Sequence, residues 1–328
     1  MAISFSQVFG EKLGELMEKD ESVVVVTAAM LSGTGIIKLQ PKFPNRVLDV
    51  GIAEGHAVTC SAGLATTGNK PFVAIYSTFL QRALDHIIHD VAIQKLPVRF
   101  MLDRAGFVGP DGPTHHGVFD LTYLRMIPNM TIMVPRNGAE LRIMMELAYN
   151  HEIGPLAIRY PRGNTDELDE KKIAPLEFGK AHILRKGKDV ALFAIGLMVD
   201  VAVHVAELLE KRGYSTAVIN TRFVKPLDDE VIVQFGGKVK LLVSLEENTI
   251  HGGFGSGVLE TLSENEICVP TLQIGVPDRF ISQGSPDEQL NAAELSPEQI
   301  FYRILERLPV LGEKMNKNRK VQQKILAL

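Results

Sequence analysis

The chain has 328 residues and a mass of 36.1 kDa, enough for two domains that each bury a core, which excludes a single small module. Its 45% hydrophobic and 23% charged residues match an ordinary globular protein, so neither disorder nor a fibrous repeat fits. Lys and Arg number 35 against 39 Asp and Glu, and the resulting net charge of -4 is too balanced for a nucleic-acid or membrane footprint.

Residues 1–20 read as an amphipathic helix, with Phe5, Val8, Phe9, Leu13, Leu16 and Met17 at helical spacing. Glu11, Glu15, Glu18 and Lys19 interrupt the apolar positions, which argues against a secretory signal. No apolar run approaches the roughly 20 residues of a membrane span, so a cytoplasmic address is the expectation. Val23–Val26 is short and β-branched, as a strand buried on both faces would be. The spacing then predicts a strand end at Val47–Ile52, a small-residue helix over Ala53–Thr67, a strand at Pro71–Tyr76, a helix over Thr78–Gln94 and a strand at Pro97–Asp103. A Gly/Pro-rich loop from Gly106 to Gly117 precedes Met130–Val134, Gly138–Tyr149 and Pro155–Tyr160, again strand, helix, strand. Alternation of this kind implies a mainly parallel sheet with helices on both faces.

From Arg162 to Lys188 the chain turns polar and reads as a linker with a short edge strand. A second alternation follows, with strands near Val190–Ile195, Ser215–Ile219, Val239–Leu245 and Thr271–Ile274, and helices near Asp200–Arg212, Gly255–Ser263 and Pro297–Arg307. The expected organisation is therefore two doubly wound α/β domains: residues 1–163, a linker over 164–188, residues 189–310, and a basic tail over 311–328. Cys60 and Cys268 show no metal-binding or disulfide spacing and are expected to be buried, reduced thiols.

Open parallel sheets bind ligands beyond the carboxyl ends of their strands. The loops there supply Glu54, Tyr76, Arg82, Arg104, Asp111, His115 and Arg162 to one rim. The arginines suit a phosphate or carboxylate, which guanidinium matches bidentately, although surface ion pairs would also account for them one by one. Glu54 opens a helix, where the helix dipole favours a carboxylate whatever its further role. Adjacent His115 and His116 in an extended loop point apart, which favours proton transfer or substrate hydrogen bonding over a metal pair. Phe79 is either a core plug or a platform for a flat ring.

The runs Asp49–Glu54, Tyr76–Arg82, Asp103–Gly106, Asp111–Gly117 and Arg159–Gly163 resemble the pyrimidine-binding domain of the 1-deoxy-D-xylulose 5-phosphate synthase family, in the thiamine-diphosphate-dependent transketolase superfamily. Arg222–Asp228, Glu246–Asn248 and His251–Gly257 resemble that family's C-terminal domain, so the likeness covers about residues 3 to 308. It implies that Glu54 hydrogen-bonds N1′ of the cofactor's aminopyrimidine, promoting the imino tautomer whose exocyclic nitrogen removes the C2 proton of the thiazolium. It implies further that Phe79 packs on the pyrimidine beside Arg82, that Arg104, Arg162 and Tyr76 hold the phosphate of glyceraldehyde 3-phosphate, and that Arg82, Asp111 and His115 lie near the reacting carbons. His115 would then stabilise or protonate developing oxyanions. Pyruvate is the expected donor.

Two departures stand out. The family's diphosphate-binding domain, with the Gly-Asp-Gly motif that holds Mg2+ and the diphosphate, does not precede this region. Gly55 stands where the family usually has glutamine, removing a side-chain amide near the pyrimidine. With Met1 just ahead of the first helix, the chain reads as a complete subunit of a split enzyme, working with a separate diphosphate-binding subunit. The resemblance implies a homodimer through the first domain's helices, where the small residues Ala57, Ala62, Gly63 and Ala65 would permit close approach. The competing readings are a piece of a longer enzyme with the same site assignments, a split transketolase acting on sugar phosphates, and a non-catalytic paralogue. Glu246, Glu247, Asn248 and His251 are expected to shape an interface rather than to react.

Overall fold

The computed structural model describes residues 3–165 and 168–308 as two α/β units; the basic tail expected over 311–328 lies outside the described residues. Helix α1 (Phe5–Lys19) starts at Ser4, where the Ser4 hydroxyl accepts from the Gln7 N–H and the Gln7 side chain accepts from the Ser4 N–H. This capping box satisfies two amides that the first helical turn cannot. The strands ahead of the first loop cluster are β1 (Ile3–Ser4), β2 (Val23–Thr27), β3 (Val47–Asp49), β4 (Lys70–Tyr76) and β5 (Arg99–Ala105). They are followed by β6 (Thr131–Met133), β7 (Leu156–Pro161) and β8 (Asn164–Thr165), the last pairing antiparallel with β1.

Six of these strands form a parallel array in the order β6-β7-β5-β4-β2-β3. Side chains alternate across it, as the two-residue period of a strand requires. Val23, Val25, Phe72, Ala74, Met101 and Ile158 face α1 and α6 (Gly138–Asn150), whereas Val26, Val73, Ile75, Phe100, Leu102 and Ala157 join the core on the opposite face. That opposite face is covered in part by α2 (Glu54–Thr66).

The second sheet has the order β14-β13-β10-β11-β9, where β9 is His182–Arg185, β10 Val190–Ala194, β11 Thr216–Asn220, β13 Leu241–Thr249 and β14 Thr271–Val276. Only β9 runs antiparallel. Ala191 and Phe193 of β10, Ala217 and Ile219 of β11 and Leu242 of β13 share one apolar cluster with the first unit, so the two units are joined by a continuous core. On the other face, α7 (Met198–Glu210) and a helix over residues 297–308 cover Val190, Leu192, Val218 and Val243.

The structure differs from the periodicity in identifiable places. The helix expected over Thr78–Gln94 is α3 (Ser77–Leu80), a tight turn, α4 (Leu84–His86) and a widened π turn over Ile87–Ala92. Three further helices, α5 (Asp120–Arg125), α8 (Asp229–Gly236) and α10 (Pro286–Ala292), are too short for an apolar period to reveal. Strand β12 (Phe223–Lys225) leaves the second unit and pairs antiparallel with β6, extending the first sheet to seven strands. Cys268 is exposed and Cys60 half-buried, not both buried: an apolar neighbourhood in sequence did not place them in the core. Ala57 and Ala62 lie in the chain's own core, leaving Gly63 exposed, so the small-residue face expected for dimerisation is split. Among the described residues no helix is long and apolar enough to cross a membrane.

A buried ion pair anchors the return of the chain between units. The Arg222 guanidinium donates to Glu140 of α6 at 2.8 Å and to the carbonyls of Ala174 and Pro175, while Asn220 donates to the same Glu140 oxygen at 2.8 Å. Arg222→Leu would leave the Glu140 carboxylate without its cation in the interior, and is expected to lower unfolding stability by about 3–5 kcal/mol in urea titration.

Candidate active site

The strand order places the site. Along the carboxyl edge of the first sheet, β3 leads to Glu54, β2 to the segment 28–37, β4 to Tyr76–Arg82, β5 to Arg104 and β7 to Arg162. Four strand spacings of about 4.8 Å make this a row on the order of 19 Å long. The chain leaves β2 toward β3 and leaves its neighbour β4 toward β5 in the opposite direction, and at this switch point lies a cleft of about 720 Å³. Its walls include Met30, Gly33, Ile52, Glu54, Phe79 and Arg82.

Glu54 is the first residue of α2, only 4% exposed, and its Oε1 accepts from Arg82 Nη1 at 3.0 Å. Asp49 Oδ1 accepts from the Ala29 and Gly51 amides, fixing the turn that leads to it. From Glu54 a ladder of cations and rings runs along the edge. Arg82 lies 5.3 Å from the Phe79 ring centre, Phe79 and Tyr76 stack at 5.8 Å, and the Arg104 guanidinium covers Tyr76 at 3.9 Å. Contacts of this kind orient both partners. The His115 ring meets the edge of Phe79 at 5.3 Å. Phe79 itself is half-buried: it packs on the core and also faces the cleft.

At the far end, Asp111 Oδ2 accepts from Arg104 Nη1 at 3.2 Å and from Arg162 Nη1. Two guanidiniums thus face one carboxylate, leaving an excess positive charge beside the Tyr76 ring. Arg162 also donates to the Val108 carbonyl at 3.0 Å. Arg82 stands apart from this group, with Glu54. His116 turns away from His115: its ring bonds the Ile281 carbonyl at 3.1 Å, and burial pushes its imidazole below the usual range. It is a structural neighbour of the site and lies between the two units.

The segment 28–37 was not among the residues singled out from the sequence, yet it forms one wall of the cleft. Ser32-Gly33-Thr34-Gly35, a few residues after a buried strand, was the available signal. A Cβ on Gly33 would fall 1.5 Å from the Tyr76 hydroxyl, so the wall and the ring approach as closely as a glycine permits. Asp103, at the end of β5 opposite Tyr76, was also passed over. Fully buried, it makes only weak contacts with Ser6 and the Arg104 amide, and burial pushes its carboxyl up to about 7 against the pull of Arg104 and Arg162. Among the described residues no cluster of His, Cys, Asp and Glu could hold a metal ion.

Gly55 proves to be a packing position. A Cβ there would come within 2.6 Å of the His86 ring, so the imidazole occupies the space a side chain at 55 would need. Gly55→Gln is expected to cost about 1–3 kcal/mol through overpacking, and combining it with His86→Ala should recover most of that loss in thermal unfolding.

Asp103 generates a pH prediction. Between its unfolded value of 3.8 and about 7, the folded carboxyl holds a proton that the unfolded one has lost, so rising pH erodes stability across that window and no further above it. Asp103→Asn removes this titration. Its stability relative to wild type should therefore rise from pH 4 to 7, by at most roughly 1.4 kcal/mol per unit, and then level off in calorimetry at matched salt. Glu246 and Glu247, also raised to about 7 by burial, titrate in both proteins and cancel from the difference.

Known proteins share this sequence and fold. Residues 1–167 match the model of the transketolase pyrimidine-binding domain and residues 179–300 that of the transketolase C-terminal domain. The chain is 52% identical over 309 residues to a 1-deoxy-D-xylulose-5-phosphate synthase of Thermosynechococcus vestitus, covering 94% of this chain and 48% of that protein. It is 48% identical over 304 residues to the synthase of Caldanaerobacter subterraneus subsp. tengcongensis, covering 93% and 49%. The chain thus spans about half the length of the curated relatives it matches. Among solved structures it superposes on a split gene transketolase described as an inactive beta4 tetramer, with a TM-score of 0.83, 31% identity, and coverage of 94% of this chain and 99% of that one. Transketolase from Campylobacter jejuni shares the fold at a TM-score of 0.76 and 21% identity, over 93% of this chain and 47% of its own. With both domain models matched in order along its length, the chain belongs to the thiamine-diphosphate-dependent transketolase family, its pyrimidine-binding domain followed by its C-terminal domain.

Proposed function

We propose that this chain is the pyrimidine-binding and C-terminal portion of a synthase that condenses pyruvate with glyceraldehyde 3-phosphate and releases carbon dioxide, acting with a separate diphosphate-binding half. The observation that carries the reading is the single row from Glu54 to Arg162, with a carboxylate and a flat ring at one end and paired guanidiniums at the other. The residues fit the pyrimidine end of thiamine diphosphate: a buried carboxylate beside an aromatic face on an open cleft is the donor set an aminopyrimidine needs. When bound, the cofactor supplies a carbon nucleophile that this chain lacks. Mg2+ and the diphosphate belong to the other half.

Glu54 then shares a proton with the ring nitrogen through a hydrogen bond, and Arg82 holds the carboxyl group in place from its other side. Phe79 supports the ring. Arg104 and Arg162 bind the phosphate, and Tyr76 sets the position of Arg104 beneath it. Two fixed guanidiniums against a dianion orient the aldehyde, which converts binding energy into alignment of the reacting carbons. His115, in van der Waals reach of Phe79, is placed to hold or deliver a proton at an oxygen near that ring. Asp111 neutralises one of the two arginines until the phosphate arrives. On this reading the protein works in the cytoplasm as a homodimer joined to its partner half.

Likeness to a split gene transketolase favours a second reading, in which the donor is a ketose phosphate. Carbon dioxide release separates the two. With thiamine diphosphate, Mg2+, pyruvate and glyceraldehyde 3-phosphate, activity should appear when the chain is mixed with a diphosphate-binding half from the same source. Glu54→Ala should reduce kcat by about 10²-fold or more, in keeping with the loss of a proton-transfer partner. Turnover of ketose phosphates without carbon dioxide would favour the transketolase reading. Silence of a correctly folded mixture toward both donors would overturn the enzymatic proposal.

A further inference from the structure

We infer that Gln289, on the second domain, is a positioning residue for the loop that carries Asp111 and His115, an inference that rests on the substrate-site reading above. The loop closes on itself at its base, where Gly106 and Gly117 exchange two backbone hydrogen bonds of 2.8 Å. Its outer part has no such internal ladder. Instead, the second domain holds it at three points. Glu247 Oε1 accepts from the Phe107 N–H at 2.7 Å, the His116 ring bonds the Ile281 carbonyl at 3.1 Å, and Gln289 grips Gly109.

The Gln289 contact is the most specific. Its side chain is 1% exposed; Oε1 accepts from the Gly109 N–H at 2.9 Å and Nε2 donates to the Gly109 carbonyl at 2.8 Å. Nε2 also donates to the Ser282 carbonyl at 3.1 Å. One amide thus pairs with both polar groups of a single residue, as a neighbouring strand would. Gly109 begins the tight turn Gly109–Asp111 at a φ of +75°, a left-handed conformation that glycine tolerates. Asp111 is the last residue of that turn, and its carboxylate sits between Arg104 and Arg162. Fixing Gly109 therefore fixes where Asp111 meets the two guanidiniums. Gln289 is itself held because α10 starts on a capping box between Ser285 and Glu288. No substrate contact is assigned to Gln289; it acts through the loop.

The test uses the full chain with two variants. Gln289→Leu removes both bonds to Gly109 and keeps comparable bulk. Amide hydrogen exchange across residues 106–117 should accelerate by about tenfold or more, with α1 and β4 unchanged. Gln289→Glu adds a discriminating readout: its carboxyl can serve both Gly109 groups only when protonated. Loop protection relative to wild type should therefore recover as pH falls, which a space-filling role would not produce. In the reconstituted enzyme, Gln289→Leu should raise the KM for glyceraldehyde 3-phosphate by about tenfold and leave the KM for pyruvate unchanged. Unchanged loop exchange, or acceleration spread evenly over the whole chain, would overturn the inference. Absence of turnover in the wild-type mixture would count against the proposed function alone, since the exchange measurements decide the role of Gln289 without it.

Discussion

Arg159 is the group around which the site is organised. Buried on β7, its guanidinium donates to Asp120 Oδ2 at 2.9 Å, to the Gly117 carbonyl at 3.0 Å and to the Glu247 carbonyl at 3.2 Å. Asp120 in turn accepts from the Ser77 hydroxyl at 2.9 Å and from the Leu121 amide. A single interior cation thereby ties together the start of α3, which aims Phe79 and Arg82, the end of the substrate loop, and the second domain. An ion pair in the interior is tolerated only when its remaining donors and acceptors are satisfied, and here four further partners do so. The same constraint explains why these four chain segments, far apart in sequence, meet at one depth.

This network also changes what the second domain is for. Its acidic run does shape an interface, but an internal one: Glu246 accepts from the Phe254 and Gly255 amides at the start of α9 (Phe254–Glu264), and Glu247 reaches the loop of the first domain. Glu247 lies so close to Gly106, at φ +78°, that a Cβ there would fall 2.4 Å from its carboxyl carbon. With the shared apolar core and β12 added to the first sheet, the two domains form one mechanical unit. The left-handed backbone of Arg104 belongs to the same junction, and holding a non-glycine residue there takes surrounding structure that over-determines it.

Much of the fold was legible because its signals are local. Fully buried strands such as Val23–Thr27 announce themselves as unbroken β-branched runs, and α1 and α6 carry a clear apolar stripe. The short helices α5, α8 and α10 and the broken segment after Tyr76 carry no such stripe, because few turns cannot display a period. Strand β12 was invisible for another reason: three residues pair with a strand some ninety positions earlier, and only the packing of the two units brings them together.

The sequence by itself determined the class of the protein, the order of its longer strands and helices, and the residue types at the carboxyl edge, because alternation and loop chemistry are written in consecutive residues. Tertiary structure decided the rest. It put Glu54 against Arg82, set Asp111 between two arginines, filled the space above Gly55 with His86, turned His116 of the loop toward the far domain, and sent Gln289 from that domain to brace the same loop. The reason is physical: strand order and domain packing fix which distant side chains share a few ångströms, and in that space hydrogen bonds, charge and excluded volume, rather than residue type, assign each group its part.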